Sequence, residues 1–390
     1  MPNLRQGMMG AAGAGGSTAP VGELWAWGTN WRGSLGLGDD NDPGMTNRSV
    51  PTQVGALTDW LTPLCGMMDR ASGCIKSDGT LWAWGNNDYG QLGFGNTTNI
   101  CSPAQVGSLT TWFNAGAGDY HIAAIKTDGT MWCWGRTNYG QGGRNDAVDV
   151  SSPVQIGSLT NWKGVTAEQL AEGYPVRLGI GSYNVITIKD DGTLWNWGWG
   201  GQAQGGWGDN SNRSSPVQIG SGTDWNSLTP AFSYNTLATK TNGTLWAWGK
   251  GDFGQLGQGN TTDHNSPVQV GALTTWKYQS AGYGFAHMVK TDGTLWFMGK
   301  NDIGQGGTGN LTNYSSPVQI GSDTNWGQTI GHYEGMRALK TDGTLWVSGK
   351  NNYGQLGQNN TTQLSSPVQV GSVTSWAKLM CGATHTIAVQ

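Results

Sequence analysis

The sequence predicts an all-β protein, a single seven-bladed β-propeller closed into a ring by its own two ends. Three observations predict it. Composition comes first: Gly accounts for 66 of 390 residues and charged residues for 12%. Glu occurs only at Glu23, Glu168, Glu172 and Glu334, and a chain this poor in Glu and Lys and rich in Gly, Thr, Asn and Trp favours strands and tight turns over helices. Internal repetition comes second, with three markers that recur in one phase. The string Asp-Gly-Thr-Leu-Trp-x-Trp-Gly, complete or varied, ends at Gly28, Gly85, Gly135, Gly198, Gly249, Gly299 and Gly349. The string Pro-x-Gln-Val/Ile-Gly starts at Pro51, Pro103, Pro153, Pro216, Pro267, Pro317 and Pro367, and a Trp follows each at Trp60, Trp112, Trp162, Trp225, Trp276, Trp326 and Trp376. Third, the ends are complementary fragments. The first copy opens at Glu23-Leu24-Trp25 with no strand before it, and Thr384–Val389 is such a strand with no hairpin after it.

Within a repeat, Ile122–Ile125 and Met131–Trp134 read as strands joined through Lys126–Thr130. Asp-Gly between apolar runs predicts a type I′ turn, which needs positive φ at both central residues. In the second of these strands Trp132 and Trp134 share one face and Met131 and Cys133 the other, so it reads as an inner strand buried on both sides by neighbouring blades. Nineteen of the 22 Trp fall at repeat positions, where wedge-filling between splayed blades accounts for them. The Gly-Gln-Leu-Gly segments (Gly90–Gly93, Gly254–Gly257, Gly354–Gly357) read as tight turns. No helix and no Lys-Ser/Thr follows them, which excludes a phosphate loop. The repeated Gln, as at Gln155 and Gln269, reads as an amide satisfying backbone groups between blades. Pairing of Thr384–Val389 beside Glu23–Trp27 closes the ring and removes open sheet edges. The chain thus divides into a Gly/Ala-rich arm, residues 1–20, and a propeller, residues 21–390.

A net charge of −4 and a pI near 5.7, with no basic run, argue against nucleic-acid binding. No apolar stretch exceeds strand length, so no membrane span is expected. Cys65, Cys74, Cys101, Cys133 and Cys381 are odd in number and lack paired spacing. They read as small buried hydrophobes rather than disulfides or a zinc site. No cofactor is expected.

With its motifs laid out, the repeat resembles the regulator of chromosome condensation family. The resemblance rests on Asn87-Asp88-Tyr89-Gly90-Gln91-Leu92-Gly93-Phe94-Gly95 after Trp84-Gly85, on Ser102-Pro103-Ala104-Gln105-Val106, and on Cys381-Gly382-Ala383-Thr384-His385-Thr386-Ile387-Ala388. It covers about residues 21–390 and implies a propeller fold. Such repeats serve exchange factors, ubiquitin ligases and bacterial surface proteins, so the resemblance implies no one activity.

Function is therefore expected in the irregular parts. Trp31, Trp199 and Trp207 fall outside the repeat pattern in Gly-rich turns and are candidate glycan contacts. Asp39, Asn41 and Asp42 form the one carboxylate cluster, a candidate Ca²⁺ loop without the distal bidentate Glu. His121 and His385 share a repeat position but make no ligand set. An insertion of about 13 residues before the fourth turn brings Glu168, Tyr174 and Arg177 to one rim as candidate partner contacts. In the leader, Met1, Leu4, Arg5, Met8 and Met9 are candidate docking residues. A Gly/Ala arm orders only by packing against something, and its Met-Met-Gly-Ala-Ala core is too short for a secretory signal. In general character it resembles the short arms that attach phage structural proteins to a particle.

No Ser/His/Asp order, Cys/His pair or opposed carboxylates stand out, so no catalytic residue is expected. The expectation is a non-enzymatic structural or adhesive propeller on a virion or extracellular surface, present in multiple copies and docked through residues 1–20 to a protein partner. The alternatives are a soluble protein-binding or exchange-factor-like propeller using a rim loop, and a glycan-binding propeller.

Overall fold

A computed structural model of the chain describes residues 21–39, 46–66, 71–162, 177–229 and 234–390. They form seven antiparallel four-stranded sheets. Blades 1 to 6 follow in chain order, at residues 60–105, 112–155, 178–218, 225–269, 276–320 and 326–369. Blade 7 takes two strands from each end of the chain, Leu24–Gly28 and Arg48–Gln53 with Lys378–Cys381 and His385–Val389. Among the described residues no helix is long and apolar enough to cross a membrane.

The predicted closure is met residue by residue. Leu24 pairs with Val389, Ala26 with Ile387 and Gly28 with His385. Beyond that register Glu23 and Gln390 exchange backbone bonds at 3.1 and 3.0 Å. The C-terminal contribution is two strands rather than the one expected, because Lys378–Cys381 pairs with His385–Val389 as the innermost strand of the same blade.

In each blade the first strand lies innermost, since first strands of neighbouring blades touch one another, as Trp60–Cys65 touches Trp112–Ala117. The Leu-Trp-x-Trp strand is buried on both faces as predicted, but it is the third strand counted from the axis, not the innermost. Met131 and Cys133 pack toward blade 3, whereas Trp134 packs back on Leu81, Ala83 and Leu92 of blade 1. The fourth strand, carrying Pro-x-Gln, is half-exposed.

The buried Trp latches the blades as well as filling the wedge. Trp134 Nε1 donates to the Gln91 carbonyl of the preceding blade at 3.0 Å, and Trp27, Trp84, Trp197 and Trp248 do likewise to Gln355, Ser34, Gln141 and Gln204. A second link runs from the N–H of Trp112 to the Gly79 carbonyl, and Trp60 uses Gly22 in the same way across the closure. Met298 and Ser348 replace the latching Trp in blades 5 and 6. At the junction with Ser348, Phe285 and Phe297 fill the space against Met336 and Ala338.

Two expectations are corrected. The Asp-Gly hairpins are three-residue loops, not type I′ turns. Gly129 N–H donates to the Lys126 carbonyl at 2.9 Å and Lys126 N–H to Thr130 at 3.0 Å, and only the Gly is left-handed, at φ +81°. The Asp side chain explains the choice: Asp128 accepts from Thr130 N–H at 2.9 Å and Thr130 Oγ1 at 2.6 Å, and Thr130 Oγ1 accepts from Trp132 Nε1 at 2.8 Å. At Gln155, Gln269 and Gln319 the repeated Gln bonds within its own blade rather than between blades. At the outer edge Gln155 and Gln269 donate to the carbonyls of Gly157 and Gly271, each two residues on.

Above these turns, six lysines sit between two indoles. Lys126 Nζ lies 3.5 Å from the Trp132 ring centroid and 5.1 Å from that of Trp112, and burial lowers the pKa of Lys126, Lys189 and Lys290. The two indoles meet edge to face in every blade, at 6.1 Å for Trp112 and Trp132 and at 6.3 Å for Trp25 and Trp376 in blade 7.

Candidate functional site

The turn between first and second strands carries a Tyr in five consecutive blades: Tyr120, Tyr183, Tyr234, Tyr283 and Tyr333. Because first strands are innermost, these turns surround the axis at the face opposite the Asp-Gly hairpins. All five rings are half-buried. The third strand of each blade ends beside this turn: Trp199 N–H donates to the Tyr183 carbonyl and Lys250 N–H to that of Tyr234. That contact sets the Trp199 indole between Tyr183 and Tyr234, at 5.9 and 5.4 Å. Tyr234 meets Tyr283 at 6.3 Å and Tyr283 meets Tyr333 at 5.0 Å, so rings run unbroken across blades 3 to 6. Tyr89 and Tyr120 extend the band at 4.7 Å, with the Arg136 guanidinium over both.

Charge around this mouth is ordered. Lys250 pairs with Asp252, Lys300 with Asp302 and Lys350 with Glu334. Asp119 is 4% exposed and its N–H reaches the Ser182 carbonyl at 3.4 Å. Burial first, and then the Asp119 charge and its bond from the phenol, push the Tyr183 hydroxyl up to about 12. Burial and neighbouring rings raise Tyr234 and Tyr333 too, and Asp119 contributes at both. One carboxylate therefore acts on tyrosines of blades 3, 4 and 6.

The sequence singled out only Trp199 from this band. It missed the tyrosines, although an aromatic just before the second strand in five of seven repeats was a readable signal. The three off-pattern Trp do not form one site. Trp31 is half-buried in a short 3₁₀ turn of blade 7, with the Arg32 guanidinium 5.0 Å over its ring and Arg32 paired to Asp88. Trp207 is half-buried in the outer loop of blade 3. It lies against Gly200 and Gly205, where added Cβ atoms would stand 2.7 and 2.1 Å from the ring. Beside it, a groove of about 490 Å³ is lined by Trp207, Arg213, Gln218, Trp225 and Lys240.

Asp39 accepts from Asn30 at 2.8 Å, Thr46 at 2.8 Å and Arg48 at 2.9 Å, so its oxygens are engaged by protein donors. Asn41 and Asp42 lie outside the described residues. Arg177 is half-buried near Asp190, and its carbonyl accepts from Thr187 Oγ1 at 2.8 Å. Glu168 and Tyr174, and the leader residues Met1, Leu4, Arg5, Met8 and Met9, lie outside the described residues. All five cysteines are free, and four are buried.

The two matched histidines differ in surroundings. His385 Nε2 meets Ser72 Oγ at 3.0 Å. Facing His121, Val185 stands at the register position of Ser72, and both His121 ring nitrogens lack a partner among the described residues. Burial pushes His121 and His287 down to about 3. A folded value below the ordinary 6.5 means that stability is complete above pH 6.5 and is lost as pH falls toward 3. Each contributes about 1.4 kcal/mol per pH unit in that window. Urea midpoints measured from pH 7 to 4.5 are expected to fall steadily, and His121→Asn with His287→Leu to flatten the slope. An unchanged slope would contradict both buried, neutral assignments.

Two family models of the regulator of chromosome condensation (RCC1) repeat match, one at residues 21–66, 78–125, 242–289 and 342–389, the other at 115–141. Together they cover just over half of the chain. The chain is 29% identical over 254 residues to the ultraviolet-B receptor UVR8 of Arabidopsis thaliana, covering 65% of this chain and 54% of that protein. It is 28% identical over 270 residues to the E3 ubiquitin-protein ligase HERC2 of Homo sapiens, covering 68% of this chain and 4% of that one. It thus spans about half the length of the first and a small part of the second. Human WBSCR16 superposes with a TM-score of 0.80 at 20% identity, over 94% of this chain and 98% of that one. Prp20p of Saccharomyces cerevisiae gives 0.80 at 16% identity, over 96% and 92%. Repeat, sheet order and matched models agree: the chain belongs to the regulator of chromosome condensation repeat family.

Proposed function

We propose that the chain is a non-enzymatic binding propeller that docks a protein partner on its tyrosine-lined mouth. The observation that carries this reading is the unbroken run of half-buried rings across blades 3 to 6, edged by paired charges. Tyrosine-rich patches with arginine nearby and paired charge at the rim have the composition of protein-contact surfaces. Prp20p binds Gsp1p and histones, and it is bound by Kap60 in a further structure. For this chain, a protein partner is our proposal.

A finer proposal is that the ring is a structural or adhesive component displayed in multiple copies on a particle or cell surface, as in a phage virion, and attached through residues 1–20. The uniformity of the seven repeats and the Gly/Ala composition of the leader support it. The groove beside Trp207 supports a second reading, a glycan-binding role, because indole faces flanked by Arg213, Gln218 and Lys240 suit sugar hydroxyls.

A photo-cross-linking amino acid placed at Tyr283, and separately at outer-edge Thr308, tests the docking face in producing cells. Adducts to a defined protein at Tyr283 and none at Thr308 are expected; the reverse pattern would overturn the reading. In the same preparation, deletion of residues 1–20 is expected to leave a folded ring that no longer co-sediments with particles. Retained attachment would remove the leader's assigned role.

A further inference from the structure

We propose that the mouth takes one cationic side chain of the partner, an arginine or a lysine, with Asp119 as its counter-charge and the rings of Tyr183, Tyr234 and Tyr283 as its walls. The inference rests on the reading of this mouth as the docking face.

Three observations carry it. The rings are half-buried and contiguous, and the negative face of an aromatic ring attracts a cation within about 6 Å of its centroid. Asp119 is buried at the same level, where low dielectric strengthens its field, and that field is felt on phenols of three blades. The lysines that edge the mouth are paired with nearby acids, Lys250 with Asp252, Lys300 with Asp302 and Lys350 with Glu334, so their charge is offset locally, and the Arg136 guanidinium lies over Tyr89 and Tyr120, outside the three walls. An anionic side chain would meet Asp119 in a poorly solvated setting. A neutral one would gain ring contact and no charge, whereas a guanidinium gains both and stacks on a planar face.

The probe is N-acetyl-Gly-Arg-Gly-amide compared with its citrulline counterpart, which keeps the planar shape but replaces one nitrogen donor by a carbonyl oxygen and lacks charge. Both are titrated into the full chain and followed by proton NMR. Upfield ring-current shifts of the arginine side-chain protons that saturate are expected, with the citrulline peptide about tenfold weaker. Asp119→Asn is expected to bring the arginine peptide down to the citrulline level. Equal affinity for the two peptides, or no saturable shift with arginine, would overturn the proposal without relying on any variant. So would an Asp119→Asn ring that unfolds like the parent and still prefers arginine.

The docking reading fails separately. If cross-links at Tyr283 persist with Asp119→Asn and the peptides are not distinguished, the face stands and the cation does not. If no cross-link forms at the mouth, the face itself is wrong.

Discussion

Trp134→Ala is expected to destabilise the ring by about 3–5 kcal/mol, the usual cost of removing a fully buried large aromatic side chain. Trp134 is 0% exposed, packs on Leu81, Ala83 and Leu92 of the neighbouring blade, and donates its indole N–H to the Gln91 carbonyl. The substitution opens a wedge-shaped void between two rigid sheets that cannot collapse into it, and it leaves a buried carbonyl without its donor. Trp132→Ala is the control. That ring is half-buried on the lysine side, so about 1–2 kcal/mol is expected from lost apolar contact and cation–π attraction. Urea titrations read both. A loss below about 1 kcal/mol for Trp134→Ala would mean that the latch and wedge do not hold the blades together. Ser348 does not argue against the prediction, since Phe285 and Phe297 occupy the corresponding junction.

Deletion of residues 378–390 is expected to abolish cooperative unfolding altogether and to yield aggregates on size-exclusion chromatography. The cut strips two strands from blade 7 and leaves Leu24–Gly28 with an unpaired inner edge facing blades 1 and 6. It also removes the buried side chains of Leu379, Ile387 and Val389, each worth about 1.5–3 kcal/mol. That loss approaches the whole margin of about 5–15 kcal/mol by which a domain is stable. A circular permutant separates closure from mere chain length. It joins residue 390 to residue 21 through a short linker and opens between blades 1 and 2 at residues 106–111, keeping every strand and pairing. The permutant is expected to unfold cooperatively near the parent's midpoint. A deletion that still does so would show that a six-bladed arc suffices.

The ring itself was legible because its determinants are local and periodic. Trp, Gly and Pro at fixed phase specify strand, turn and edge without help from distant residues, and complementary fragments at Glu23 and Val389 reveal the closure. The mouth was less legible for a physical reason. Tyr120, Tyr183 and Tyr234 directly precede the second strand, but Gly284 and Glu334 are inserted after Tyr283 and Tyr333, so the five residues fall out of step in a strict alignment. Trp199 reaches the same band from the end of a third strand, a neighbourhood that no spacing along the chain encodes. The hairpin was misread because Asp-Gly serves two turn types. The Asp128 carboxylate, bonded to Thr130, decides between them. Trp207 looked exposed for lack of a periodic role, yet Gly200 and Gly205 give its ring a bed.

Closure by strands from both ends also has a consequence for synthesis. Blades 1 to 6 are each complete once their own fourth strand has emerged. Leu24–Gly28 must wait for His385–Val389, at translation rates of about 5–20 residues per second a delay of about twenty seconds to a minute. Through that interval the first strands made keep an open apolar edge. The nascent chain is therefore most exposed to chaperones, or to a strand lent by a neighbouring ribosome's product, at its oldest segment rather than its newest.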